Sequence, residues 1–165
     1  MGKIEICDKK TLYLTNVLIN RIVQLSLIDD NDCAKGVSIE TELSKMNNVF
    51  RMKNVRQVGP LIQSSVMNRY SEEKLNIEVN LMLQANEYFD APKPYRMKES
   101  IIIPNCVYAR FHGSEEDMKY AYQKIEVYAY EKDIELLGDS YTVYLDSNED
   151  GTIIVDIFME RKDGE

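Results

Sequence analysis

Hydrophobic positions along the chain switch period from two to 3.6 and back, twice, in the same order. Met118, Ala121, Tyr122, Ile125, Tyr128 and Ala129 recur at helical spacing. At about 100° per residue they fall within an arc of roughly 120°, wide enough to pack on a sheet. Ile39, Leu43, Met46, Val49 and Phe50 fill a similar arc. The pattern predicts helices over 38–53 and 115–131. Ser38 and Ser114 stand where N-caps belong, and Glu115, Glu116 and Asp117 would place acids in the first turn of the second helix. Beyond each helix the period becomes two. Ile77, Val79, Leu81 and Leu83 alternate with Glu78, Asn80 and Met82, and Ile153, Val155, Ile157 and Met159 alternate with Ile154, Asp156, Phe158 and Glu160. A strand over 61–67 and another over 140–145 precede them, across polar turns at 68–76 and 146–151. Before the helices lie the apolar runs 16–22 and 105–111.

The two halves match residue by residue. Val55 to Pro60 aligns with Ile134 to Asp139 at an offset of 79, which carries Gly59 onto Gly138, Met46 onto Ile125 and Lys53 onto Lys132. Both glycines read as turn residues leading into strands. The strands before the helices align at an offset of 89, Asn16 on Asn105 and Arg21 on Arg110. The difference is ten extra residues before the first helix, placed within 27–36 around Asp29, Asp30, Asn31 and Asp32. The expected fold is α+β: a duplicated strand–helix–strand–strand unit forming an antiparallel sheet with both helices on one face. The repeats run over 10–84 and 100–161 of a single domain, 1–165, joined by a short stiff linker at Asp90-Ala91-Pro92-Lys93-Pro94. Each half alone, with one helix, has a marginal core, so joining them buries shared apolar surface.

Composition narrows the setting. With 165 residues, 44% apolar and 29% charged, the chain is of globular type. A formal net charge of −8 argues against nucleic acid or an anionic membrane as partner. Charge at Lys3 and Glu5 precedes any signal-type apolar core, and no uncharged apolar run approaches the ~18 residues of a spanning helix. Three scattered cysteines, Cys7, Cys33 and Cys106, fit a reducing compartment, so cytoplasm is expected.

The run Tyr108-Ala109-Arg110-Phe111-His112-Gly113, then Ala121-Tyr122, Gly138, Tyr144-Leu145 and Val155-Asp156-Ile157 resembles the GyrI-like small-molecule-binding family, the effector-binding domain of bacterial multidrug-sensing regulators. The resemblance implies a duplicated fold that binds organic ligands in a groove between the copies. In 165 residues no separate DNA-binding helix-turn-helix is expected, and the resemblance is to the stand-alone members. The family often ends its last strand with proline, with a pocket glutamate three or four residues earlier. Glu160 and Asp156 occupy those positions here, and the aspartate reaches about one methylene less far than the family's glutamate.

Few residues carry chemistry. His112 is the only histidine; it reads as a general base or, more plainly, as a loop residue making a local hydrogen bond. No serine or cysteine beside it completes a nucleophile. Zinc spacing, an EF-hand glycine and glutamate, and phosphate-loop glycines are lacking, so no metal or cofactor is expected. Asp156, inside an apolar strand, is either a pocket anion or a residue of an outward polar face. Tyr108, Tyr141, Tyr144 and Phe158, drawn from eleven tyrosines and four phenylalanines, are a ligand-binding wall or ordinary core. Tyr120, Val127 and Tyr130 lie on the back of the second helix, as an interface for a homodimer or protein partner or as snorkelling side chains. The expectation is a non-catalytic binder of a small organic molecule, with Tyr108, Tyr141, Tyr144, Asp156 and Phe158 at the site. The alternative is an adaptor, immunity or chaperone-like protein partner without a small ligand.

Overall fold

The computed structural model describes residues 2–27, 39–69 and 74–162. The acidic loop at Asp29–Asp32, most of the ten-residue insertion, the Ser38 cap and Cys33 lie outside the described residues. Among the described residues, six strands and two helices follow in the order β1 (Lys3–Leu27), α1 (Ile39–Met52), β2 (Ile62–Arg69), β3 (Lys74–Gln84), β4 (Arg96–Ser114), α2 (Met118–Glu131), β5 (Leu136–Ser147) and β6 (Thr152–Arg161). The fold is α+β with antiparallel strand pairing. Among the described residues no helix is long and apolar enough to cross a membrane.

The chain gathers into two compact units, interleaved in sequence. Unit 1 comprises Met1–Tyr13, Pro60–Ile62 and Ile102–Glu165; unit 2 comprises Leu14–Gly59 and Gln63–Ile101.

In unit 1, β6 pairs with β4 on one side and β5 on the other. Alternation puts Ile153, Val155, Ile157 and Met159 on one face of β6, where they join Val107, Ala109 and Phe111 of β4 against Ala121, Ile125 and Ala129 of α2. Phe111, Ile125 and Ile157 are fully buried, each worth about 1.5–3 kcal/mol of apolar burial. Ile4 and Ile6 extend this core. The start of the chain comes so close to the end of β4 that a Cβ on Gly113 would sit 2.7 Å from the Gly2 Cα, so glycine is required for the approach.

In unit 2, β1 and β3 pair with Leu18 opposite Leu83, Asn20 opposite Leu81 and Ile22 opposite Val79. Helix α1 buries Met46, Val49 and Phe50, and Phe50 meets Phe89 edge-on at 5.9 Å. Asn20 Nδ2 donates to Glu42 Oε1 at 3.0 Å and ties β1 to α1. That bond is the main reason the Glu42 carboxyl is held below its ordinary range.

Both helices end alike. The Val55 N–H reaches the Phe50 carbonyl and the Asn54 N–H the Arg51 carbonyl; Ile134 and Asp133 repeat this with Ala129 and Tyr130. Asn54 and Asp133 take the left-handed conformation, at φ 56° and 57°. These are Schellman caps whose following residue, Val55 or Ile134, is buried.

Several boundaries depart from the sequence expectation. Ser114 does not cap α2. It remains in β4 opposite Thr152, and Glu115–Asp117 form a single 3-10 turn before the helix. The three acids therefore precede the first turn of α2, which begins at Met118. Ile39, the first member of the α1 stripe, is exposed. Strand β2 runs to Arg69 and β3 starts at Lys74, so strands take up part of the stretch expected as a turn over 68–76.

Candidate functional site

The face of the unit 1 sheet turned away from the α2 core carries most of the chemistry. Cross-strand register places Tyr108 of β4 and Tyr141 of β5 on either side of Phe158 of β6. The Tyr108 and Phe158 rings lie 5.1 Å apart at a tilt of 51°. In the next row Arg110 and Val143 flank Asp156. Tyr108, Val143, Asp156 and Phe158 are buried, and Tyr141 is half-buried.

Asp156 is buried rather than solvated, and its carboxylate is paired within the sheet. Arg110 grips it with two bonds, Nε to Oδ1 at 2.8 Å and Nη2 to Oδ2 at 3.0 Å. The Tyr108 hydroxyl donates to Oδ1 at 2.8 Å. Bidentate geometry and a third donor are what a carboxylate buried among apolar neighbours requires. Burial, then the bond to Asp156, pushes the Tyr108 phenol up to about 12. Its proton stays on, so Tyr108 acts as donor to the carboxylate. The bond and charge of Asp156 raise Arg110 above its ordinary value. Lys10 from β1 stands over the Tyr108 ring, Nζ 4.7 Å from its centroid.

At the far end of the face sit Tyr141, Glu160 and the fully buried, free Cys106. Burial pushes the Tyr141 phenol to about 12, helped by the charges of Asp139 and Glu160. Burial, with Glu160 nearby, raises the Cys106 thiol to about 12, so this cysteine is no ready nucleophile.

Tyr144 is separated from the other expected wall residues. It lies opposite Val155 and packs on the α2 core. Its neighbour there is Tyr122, whose hydroxyl is bonded to the Thr142 hydroxyl. Burial, then the charges of Tyr122 and Glu115, push Tyr144 to about 12. His112 sits in β4 opposite Ile154, exposed, rather than in a loop. On α2, Tyr120, Val127 and Tyr130 are exposed, Tyr130 by 85%. A hollow of about 250 Å³ beside Tyr130 is lined by Ala129, Asp133, Ile134 and Glu135. Arg110 and Lys10 were not among the expected site residues. Arg110 shares strand parity with Tyr108, a usable signal, but its pairing with Asp156 needs the β4–β6 register, which one sequence does not provide.

Unit 2 has its own polar cluster. Arg21 Nε bonds Glu78 Oε1 at 2.8 Å. Asn80, opposite Arg21, donates from Nδ2 to Ser64 Oγ at 3.1 Å.

No family model matches the chain, and no curated protein matches it in sequence. Solved structures do. The C-terminal domain of EcmrR aligns over 98% of this chain and 97% of its own, with a TM-score of 0.59 and 11% identity. The chain shares its fold with that domain. EcmrR in its DNA complex aligns over 96% of this chain and 57% of that longer chain, at 0.60 and 12%. SAV2435 bound to tetraphenylphosphonium aligns over 94% of both chains, at 0.48 and 9%.

Proposed function

We propose that the chain is a GyrI-like ligand-binding domain and that the aromatic face of unit 1 contacts a small organic ligand without covalent chemistry. The observation that carries this reading is the row Tyr108–Phe158–Tyr141, three aromatic rings on a sheet face that the α2 core does not use. Flat apolar surface with a few fixed polar groups is the usual make-up of an organic-ligand site. The shared fold with the EcmrR C-terminal domain and the run Tyr108–Gly113 support the family. A duplicated origin is supported by matched backbone positions: left-handed Asn16 and Asn105, Asn54 and Asp133, Gly59 and Gly138 fall at the offsets of 89, 79 and 79 read from the sequence.

The test uses Nile red, an uncharged dye whose emission shifts to the blue in apolar surroundings. The intact protein should bind it saturably. Tyr141→Ala should weaken binding by roughly three- to tenfold, as expected for loss of one ring contact. Tyr144→Ala, on the α2 side, should leave dye affinity unchanged. No binding by the intact chain, or equal loss from both substitutions, would overturn the reading.

A further inference from the structure

The two helices carry matching core stripes and different backs. At the offset of 79, Tyr120, Val127 and Tyr130 of α2 correspond to Thr41, Asn48 and Arg51 of α1, and all six are exposed. The back of α1 is polar, and Arg51 Nη1 donates to Asn48 Oδ1 at 3.0 Å within the helix. The same positions of α2 show solvent two tyrosines and a valine. The repeat is an internal control. Helix α1 buries its stripe without an apolar back, so the fold does not require one on α2. Adjoining apolar residues on an exposed face mark a contact surface.

The arrangement of this face identifies what covers it. At about 100° per residue, Tyr120, Gln123, Val127 and Tyr130 span an arc of about 80°, with Lys119 and Glu131 about 20° outside its two edges. Lys119 Nζ lies 5.4 Å from the Tyr120 ring centroid, so its charge lies along the face. Neither Lys119 nor Glu131 has an ion-pair partner among the described residues. The six positions are balanced about Ile125. Tyr120 and Tyr130 stand five residues either side of it, Gln123 and Val127 two, and Lys119 and Glu131 six. A second copy laid antiparallel on the face brings tyrosine level with tyrosine and, at both ends, lysine level with glutamate. A parallel copy would set lysine on lysine and glutamate on glutamate. The other charges of α2, Lys124 and Glu126, lie about 40° outside the arc, one on each side, where solvent screens them. Glu115, Glu116 and Asp117 precede the helix in the 3-10 turn, and Lys132 is drawn to the Tyr128 ring, 5.9 Å from its centroid.

We propose that the back of α2 pairs antiparallel with the α2 of a second copy of this chain, about a two-fold axis level with Ile125. Such a contact is isologous, the same patch meeting itself, and closes as a dimer. Tyr120, Val127 and Tyr130 form its centre, and Lys119 of each copy meets Glu131 of the other. One helix face buries less than the ~800 Å² per partner of a standard interface, so the dimer is weak, with a Kd on the order of micromolar or above.

Sedimentation equilibrium of the full chain, from about 1 µM to several hundred micromolar, tests this. The mass should rise from one chain towards two. Val127→Asn with Tyr130→Arg gives α2 the residues that α1 carries and should leave a monomer over the whole range. Lys119→Glu sets like charges at both ends of the pair and should weaken the dimer about tenfold. Adding Glu131→Lys to Lys119→Glu restores opposite charges in the antiparallel pair and should return the affinity to within about threefold of the parent. Melts at the lowest concentration should match the parent for all three variants, because none changes the core. A chain that stays monomeric throughout overturns the proposal, as does a dimer that survives the Val127 and Tyr130 changes. Lys119→Glu without effect, or without rescue by Glu131→Lys, overturns the antiparallel pairing and the proposal with it.

Discussion

Each unit carries an arginine on the strand before its helix, facing the second strand after that helix, and the two arginines are matched differently. In unit 1, Arg110 faces Asp156 squarely, and the carboxylate takes three bonds in a nearly dry setting, its side chain 12% exposed. In unit 2, the residue facing Arg21 is the amide Asn80, and the arginine instead meets Glu78, one step along the same face, in a pair whose arginine is 55% exposed. Four residues earlier the units differ again. Gln84 stands opposite Val17 and its Oε1 accepts the Thr15 N–H at 3.0 Å. Glu160 stands opposite Cys106, and the residue two before Cys106 is Pro104, which has no N–H to give. Unit 1 thus places carboxylates where unit 2 places amides, and one of its two lacks the backbone donor that satisfies the amide. Uncompensated polarity on one face beside aromatic rings is a mark of a site rather than of a core.

The comparison breaks most visibly if the arginines are removed. Arg110→Met leaves Asp156 buried with only the Tyr108 hydroxyl, which should cost about 2–3 kcal/mol; the solvent reaching the outer half of Arg110 keeps this below the full penalty for a buried pair. Arg21→Met removes a largely solvated pair and should cost at most about 1 kcal/mol. Urea unfolding of both variants decides it. Equal losses would mean that Asp156 is no more dependent on its partner than Glu78.

Much of this was written in the sequence as periodicity. The stripe Ala121, Ile125, Ala129 and the alternation Ile153 to Met159 fix the core face of α2 and β6, because burial of a helix stripe against a strand face leaves little choice of phase. Tyr144 was legible as well: it lies three residues after Tyr141, so alternation already assigns the two to opposite faces. The first part of β1 was harder. Ile4 and Ile6 alternate with Lys3, Glu5 and Cys7, but Lys9 and Asn16 take left-handed conformations, at φ 62° and 49°, and interrupt the phase before the run 16–22. The Asp156–Arg110 pair depends on register between strands some 46 residues apart in sequence. Residue types alone do not specify that register.

Glu160→Gln sharpens the comparison by giving unit 1 the residue type that unit 2 has at Gln84. Burial first, then the charge of Asp139, holds the Glu160 carboxyl above its ordinary range. A carboxyl raised in the folded state contributes stability that is full at acid pH, below its unfolded value, and is lost as pH rises through its folded value. The amide variant should therefore melt higher than the parent at neutral pH, by a few tenths to about 1 kcal/mol. That gain should shrink to nothing as both proteins are acidified below the usual carboxylate range. A gain independent of pH would assign the effect to packing instead of charge.

The smallest effect tests where the units are alike. Asn54 and Asp133 hold the same left-handed position in the two Schellman caps, with φ 56° and 57°. Glycine takes that conformation without the Cβ penalty, so Asn54→Gly and Asp133→Gly should each stabilise the protein, by about 0.5–1 kcal/mol. The gains should not be equal. Asparagine tolerates the left-handed region better than most residues. Asp133 also sets a negative charge against the negative end of the α2 dipole, an arrangement unfavourable by about 0.3–1 kcal/mol in such positions. Asp133→Gly relieves both costs and Asn54→Gly only the first. Thermal melts in low salt should place Asp133→Gly higher, and added salt should narrow the gap, since screening weakens the dipole contribution and leaves the backbone one intact. A gap that persists unchanged in high salt would put the difference in the backbone alone.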